Sequence, residues 1–74
     1  MWIIKEIKPI QKALVEDNEY IIFLEIILED ELRGKTVTKR KVEQRVCKAS
    51  KNGGIVIRFN GEKIKSNIND IKSW

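Results

Sequence analysis

The sequence predicts a single mainly β domain of 74 residues, a small antiparallel barrel of five strands with one short helical turn near the C-terminus. Two observations lead to this prediction. Asn60-Gly61 separates two runs of β-forming residues, which is the strongest short-range signal for a β-hairpin. Residues 20–28 hold eight apolar residues in nine, and most of these are β-branched or aromatic, as is typical of a strand.

The N-terminal segment gives a weaker strand signal. Residues 1–16 alternate poorly between apolar and polar side chains, and Pro9 interrupts them. Because proline cannot donate to a strand ladder, Pro9 is expected at a sheet edge or at a bend between two short strands. Asp17-Asn18 then supplies a turn into the apolar segment, since both residue types favour turns.

The apolar segment 20–28 has a helix as its rival structure, with Glu25 and Glu29 on a single polar stripe. Such a helix would be apolar nearly all round, and a chain of this size could hardly bury it, so a strand is favoured. A strand that is apolar on both faces must be central, strongly curved within a barrel, or covered by a second subunit. A homodimer formed through the strand from Tyr20 to Leu28 would meet the third condition.

The next segment, GKTVTKRKVEQRVCK at residues 34–48, fits two structures. As a helix it would span residues 38–51, with a threonine as its N-cap. As a strand it pairs back with residues 20–30, which brings Glu25 and Glu29 close to its lysines. Its threonines and valines favour the strand, and the helix stays open as the alternative.

The hairpin around Asn60-Gly61 fixes its own register, because a two-residue turn determines which residues face each other. Side chains alternate between faces, so the isoleucines of this segment share the core side. Arg58 then lies directly opposite Lys63 on the other side, together with Lys65. Like charges that face each other lower stability unless solvent screens them or an anion relieves them. The register therefore predicts a cationic outer face.

Residues 66–74 are expected to form one helical turn followed by a short closing strand. In element order alone, this pattern resembles small SH3-like barrels, and an OB-like arrangement or a mixed α+β sheet fits nearly as well. Closing a barrel removes exposed strand edges, which a chain this rich in isoleucine needs.

Charge is distributed unevenly along a chain whose formal net charge is +4. Residues 1–32 hold three basic and eight acidic side chains, whereas residues 33–51 hold eight basic and one acidic. This polarisation predicts a surface with one end attractive to anions. Pairing of the acidic and basic segments as neighbouring strands explains it equally well.

The residue inventory argues against catalysis and against a resident metal or cofactor. There is no histidine, so the only cysteine, Cys47, has no imidazole to activate it, and the usual zinc sites are excluded. No glycine spacing matches a phosphate-binding loop. We expect a non-enzymatic binding protein. The lone cysteine, and the lack of a signal peptide or a membrane-length apolar run, predict a cytoplasmic location.

The favoured function is nucleic-acid binding through a basic sheet face, without a choice between DNA and RNA. If residues 35–48 form the strand beside the hairpin, their alternate cations extend the cationic patch of the hairpin. Exposed aromatic rings would add base stacking, and Trp2, Phe59 and Trp74 are the candidates; the two tryptophans would otherwise plug the barrel ends. The predicted nucleic-acid-binding residues are Lys39, Lys41, Arg45, Arg58, Lys63 and Lys65.

The rival function is that of a protein-binding regulator or inhibitor. Its support is the doubly apolar segment 20–28 together with the acidic N-terminal part of the chain. A composition rich in lysine and isoleucine is typical of AT-rich genomes, so such a regulator could be encoded by a phage or plasmid and dock on a host protein. Nuclease treatment would distinguish the two functions, because only a protein partner survives it.

Overall fold

The chain folds mainly into antiparallel β-structure in a computed structural model, which describes residues 1–73. The first three strands are 14 residues long and follow one another through two-residue turns, whereas the last two strands have 6 residues each. The prediction of a mainly β protein is therefore confirmed. The elements are β1 (Ile3–Glu16), β2 (Glu19–Leu32), β3 (Lys35–Lys48), β4 (Gly54–Phe59), β5 (Glu62–Asn67) and a 3-10 turn at Ile68–Asp70.

Strands β1, β2 and β3 form one sheet with β2 in the centre. β2 and β3 pair without interruption from Glu19–Lys48 at one end to Leu32–Lys35 at the other. The strand prediction for this basic segment is confirmed and its helix alternative is wrong. Its β-branched residues lie beside a long apolar strand, and this cross-strand packing stabilises the extended conformation.

β1 is one continuous edge strand, where the sequence left open a bend between two short strands. Its pairing with β2 shifts register at three places, one of them directly after Pro9. Pro9 is tolerated there because an edge strand can turn the missing N–H away from its neighbour. The edge position expected for Pro9 is therefore confirmed.

β4 and β5 form a separate hairpin in the register that the sequence predicted, with Arg58 opposite Lys63 and Ile57 opposite Ile64. Its turn residues Asn60 and Gly61 have φ values of 52° and 83°. Two successive positive φ values are what a type I′ turn requires, and Asn-Gly supplies them with little strain.

The core lies between the hairpin and one face of the three-stranded sheet. Alternate side chains of β2 point to this face, and Ile22, Leu24 and Ile26 are fully buried against the inner side of the hairpin, which contributes Ile57. The buried hydrophobic residues are Ile22, Leu24, Ile26, Leu28, Cys47, Ile55, Ile57, Phe59, Ile68 and Ile71.

The two sheets are joined by side chains and not by a strand ladder. Arg45 Nε donates a hydrogen bond to the carbonyl oxygen of Arg58 at 3.2 Å, and Cys47 Sγ donates to the carbonyl oxygen of Val56 at 3.7 Å. Within residues 1–73 no ladder connects β3 to β4, so a closed five-stranded barrel of SH3 or OB type is unconfirmed.

The C-terminal segment returns to the edge strand. Lys12 N–H donates to the carbonyl oxygen of Lys72 at 2.8 Å, and Ser73 forms one parallel bridge with Lys12. The short helical turn expected before the end is present at Ile68–Asp70. The expected closing strand extends to Trp74, which lies outside the described residues.

The molecule is elongated, with principal extents of 49 × 23 × 16 Å. At about 3.4 Å per residue, the six-residue hairpin strands reach less than half the length of the 14-residue strands beneath them. The hairpin therefore covers only part of the sheet. Across residues 1–73 no helix has the length and hydrophobicity that a membrane crossing requires.

Candidate nucleic-acid interface

Three of the predicted cations lie on the outer face of the hairpin. Residues that face each other across an antiparallel pair share one side, so Arg58 shares a side with Lys63, and Lys65 with Val56. Ile55 and Ile57 alternate with them and are buried on the inner side. Arg58, Lys63 and Lys65 form no ion pair with any carboxylate of residues 1–73.

The other three predicted cations lie on β3, on the sheet face that looks towards the hairpin. Lys39 is paired with Leu28, Lys41 with Ile26, and Arg45 with Ile22, and all three partners belong to the core. The two groups of cations are therefore on different layers, and they do not form the single sheet surface that the sequence suggested.

The two layers nevertheless look to the same side of the molecule. The inner face of the three-stranded sheet points towards the hairpin that covers it, and the outer face of the hairpin points away from that sheet. Where the hairpin ends, the inner face of the sheet becomes accessible on the side that carries the hairpin cations. The outer face of the hairpin and the uncovered part of the sheet therefore form one surface at two levels, with a step between them at the tip of the hairpin.

Lys39 and Lys41 lie beyond this step. Cys47 contacts Val56, and Arg45, two residues earlier on β3, contacts Arg58, two residues later on β4. One more step of two residues along each strand places the hairpin tip near Glu43. Lys41 and then Lys39 follow, and both are exposed. Lys41 Nζ lies 3.5 Å from a carboxylate oxygen of Glu43. We call Lys39, Lys41, Arg58, Lys63 and Lys65 together the basic surface.

Arg45 is not available in the same way, because the fold already uses its side chain. In addition to the Arg58 carbonyl, the guanidinium donates to the carbonyl oxygen of Gln44 at 2.7 Å and to the carboxylate of Glu43 at 3.1 Å. It also lies 5.2 Å from the centre of the Phe59 ring. The sequence-based assignment of Arg45 as a phosphate contact is untested, and its geometry indicates a structural joint.

Trp2 provides an exposed aromatic ring at the far end of the basic surface. Its exposed fraction is 42%, and Lys39 Nζ lies 4.5 Å above the centre of its ring. Sequence reasoning named Trp2 as a candidate but missed its partner, since the contact depends on the β1–β2–β3 register. Phe59 is only 8% exposed, so the idea that its ring could stack on bases is wrong. Trp74 lies outside the described residues.

Cys47 is a buried part of the joint between the sheets. Burial raises the pKa of its thiol, more than the nearby charge of Arg45 lowers it. The group therefore stays protonated at neutral pH and acts as a weak donor to Val56. Among residues 1–73 no cluster of three cysteine or carboxylate side chains is placed to hold a metal ion.

The opposite face of the three-stranded sheet carries an ionic cluster centred on Glu25 of β2. Glu25 is only 8% exposed, and its carboxylate forms an ion pair with Arg40 and lies 3.8 Å from Lys8 Nζ. Sequence reasoning placed Glu25 near β3 lysines; the actual partner, Arg40, lies on the other face from Lys39 and Lys41. The fourteen-pair register decides this, because side chains change face at every residue.

Comparisons with protein-family models, with curated protein sequences and with solved structures found no match for this chain.

Proposed function

We propose that this protein is a non-catalytic nucleic-acid-binding protein that contacts the phosphate backbone through the basic surface. The observation that carries the proposal is the pair Arg58 and Lys63, which face each other on the outside of the hairpin and have no carboxylate partner among residues 1–73. Facing like charges destabilise a hairpin, and a bound anion removes that cost. Phosphates spaced along a strand are anions of the right charge for a row of such cations.

The neighbouring residues extend this pair in both directions. Lys65 continues the row along β5, and Lys39 and Lys41 continue it past the hairpin tip. The exposed ring of Trp2, next to Lys39, offers a stacking surface that an unpaired base can use and a paired base cannot. We therefore infer a preference for single strands over duplex, without base-specific contacts.

The test is binding of fluorescent oligonucleotides over a salt series. If all five cations contact phosphates of a single strand, log affinity falls against log salt with a slope of about −3.5. Arg58→Glu combined with Lys63→Glu removes two contacts, so affinity drops at least about tenfold and the slope flattens by about 1.4.

The matched control is Lys48→Glu combined with Lys51→Glu, which makes the same change in net charge at two exposed lysines outside the basic surface. It should lower affinity much less. An affinity that does not depend on salt, or an equal loss in both double variants, would contradict the proposal.

A second candidate function, docking on another protein as a regulator, is favoured by the free edge of β3. Residues that flank a two-residue turn form a hydrogen-bonded pair, so the backbone groups of Thr36, Thr38 and Arg40 point away from β2. No backbone partner for these groups occurs within residues 1–73. This edge has neither a bulge nor a proline, and such edges accept an added strand from a partner.

Thr38→Pro tests this candidate, because it removes one outward N–H while the ladder to β2 is kept. Thr38→Val is the matched control, since it changes the same exposed side chain and keeps the N–H. In nuclease-treated lysate, a docked protein should be captured by the wild type and by Thr38→Val but not by Thr38→Pro. Capture that disappears with nuclease, or that Thr38→Pro retains, argues against docking at this edge.

A further inference from the structure

Residues 1–73 leave the face of the three-stranded sheet opposite the hairpin uncovered, and we call it the open face. On β2 it holds Ile21 and Ile27, which are half-buried. On β3 it holds Val42 and Val46, which are 58% and 63% exposed. Ile21 pairs directly with Val46, whereas Ile27 lies diagonally from Val42, because their own partners are Arg40 and Glu25. The central strand therefore carries apolar side chains on both sides, mixed with glutamates on the open face, and residues 1–73 cover only the other side.

The ionic side chains of the open face balance one another. Lys5 Nζ lies 2.8 Å from the Glu29 carboxylate, and Glu25 is held by Arg40 and Lys8. One further carboxylate, Glu6, joins them, so the groove lined by these groups has three cations and three carboxylates. The groove is thus balanced in charge although the chain carries a net charge of +4. Beyond the groove the register adds Glu16, Glu19, Glu31 and Lys48 to the same face, so the open face carries both signs of charge with a small acidic excess.

This mixture of charges bears on which partner fits. A nucleic acid would meet more carboxylates than cations here, and a strongly acidic protein would meet the same excess. A second copy presents the same face, with apolar side chains and both signs of charge. A two-fold symmetric contact needs a surface that can complement itself, and a face with apolar side chains and charges of both signs meets that need.

The size of the open face also fits a dimer. Three strands spaced by about 4.8 Å, with 14 residues of about 3.4 Å each, give a flat area of roughly 650–700 Å² per chain. A standard interface buries about 800 Å² on each partner, and the flat area of this face is of that order.

We infer that two copies pack open face against open face. The product is a four-layer particle in which two three-stranded sheets form a central sandwich and the two hairpins lie on the outside. The inference rests on the open face alone and does not depend on nucleic-acid binding.

The test is the mass of the native protein, measured by sedimentation equilibrium. The wild type should reach twice the chain mass of 8.7 kDa. Val46→Glu places a charge against the apolar face of the partner and should weaken the dimer at least about tenfold, because an unpaired buried charge is unfavourable. Val42→Glu should act in the same way.

Val56→Glu is the matched control, since Val56 is an exposed valine, at 47%, on the outer side of the hairpin. It should leave the dimer intact, and circular dichroism confirms that each variant is folded. A monomeric wild type overturns the inference. So does a dimer that Val46→Glu leaves intact, or one that only Thr38→Pro dissociates, since the contact would then use the β3 edge.

Discussion

At the residue scale, the side chain of Arg45 links β3 to β4, which are not joined by backbone hydrogen bonds of a strand ladder. Hairpin geometry turns the carbonyl groups of Val56 and Arg58 away from β5 and towards β3, and side chains of β3 satisfy them. The guanidinium of Arg45 has several donors in a fixed plane, so it binds Arg58 while it also binds Glu43 and packs near the Phe59 ring.

We expect Arg45→Gln to lower the free energy of unfolding by about 1–2 kcal/mol, because hydrogen bonds to two backbone carbonyl groups, a half-buried ion pair and a cation–π contact are weakened or lost together. Urea unfolding at equilibrium measures the change. Arg58→Gln is the control, since its side chain is exposed and should change stability by no more than about 0.5 kcal/mol. Equal effects of the two substitutions would show that Arg45 is not the joint.

At the element scale, two turns of the same type are built from different residues. Arg33-Gly34 joins β2 to β3 with φ values of 54° and 78°, which closely match those of Asn60-Gly61. Asparagine tolerates a positive φ because its short side chain bonds locally, whereas arginine pays a steric penalty there. The β2–β3 turn is therefore the less favourable of the two.

Arg33→Asn should raise the free energy of unfolding by about 0.5–1 kcal/mol, because it relieves part of the penalty for a left-handed residue. Thermal or urea unfolding checks the sign. Arg33→Gln removes the same charge without the preference for positive φ, so it should not stabilise the protein. In the other turn Asn60→Arg should destabilise by a similar amount, and a stabilising effect there would refute the explanation.

At the scale of the whole molecule, local patterns in the sequence predicted the individual elements better than they predicted how those elements pack together. Asn60-Gly61 predicted every facing pair of β4 and β5, because a short turn leaves a single register. Pro9 predicted an edge or a bend, and it lies on the edge strand β1. The packing of the hairpin on the sheet could not be predicted from the sequence. Local patterns do not tell whether β4 pairs with another strand through backbone hydrogen bonds or, as here, is held by the side chains of Arg45 and Cys47.

The candidate site shows the same division. Alternation groups Lys39 with Lys41, but it does not tell which face of β3 looks towards the hairpin. That face is set by the pairing of β3 with the buried residues of β2, such as Ile26 opposite Lys41. The contact between Lys39 and Trp2 joins positions from two different strands, and no local pattern predicts it.

The two proposed surfaces lie on opposite sides of the molecule, so their variants should act separately. Val46→Glu should leave binding to a short oligonucleotide unchanged for each chain, whereas Arg58→Glu with Lys63→Glu should leave the mass of the particle unchanged. In the dimer, the two basic surfaces would look outward in opposite directions. A long strand could then be held at two points, or two strands could be bridged.

The position of Cys47 makes the rate of its chemical modification a measure of local opening of the fold. Its thiol lies at the joint under β4, it is protonated at neutral pH, and it is the only cysteine in the chain. Because the residue is only 9% exposed, a thiol reagent reaches it mainly when the hairpin lifts from the sheet or the whole domain unfolds. The rate of modification, compared with the rate of global unfolding, therefore tells whether the hairpin detaches on its own.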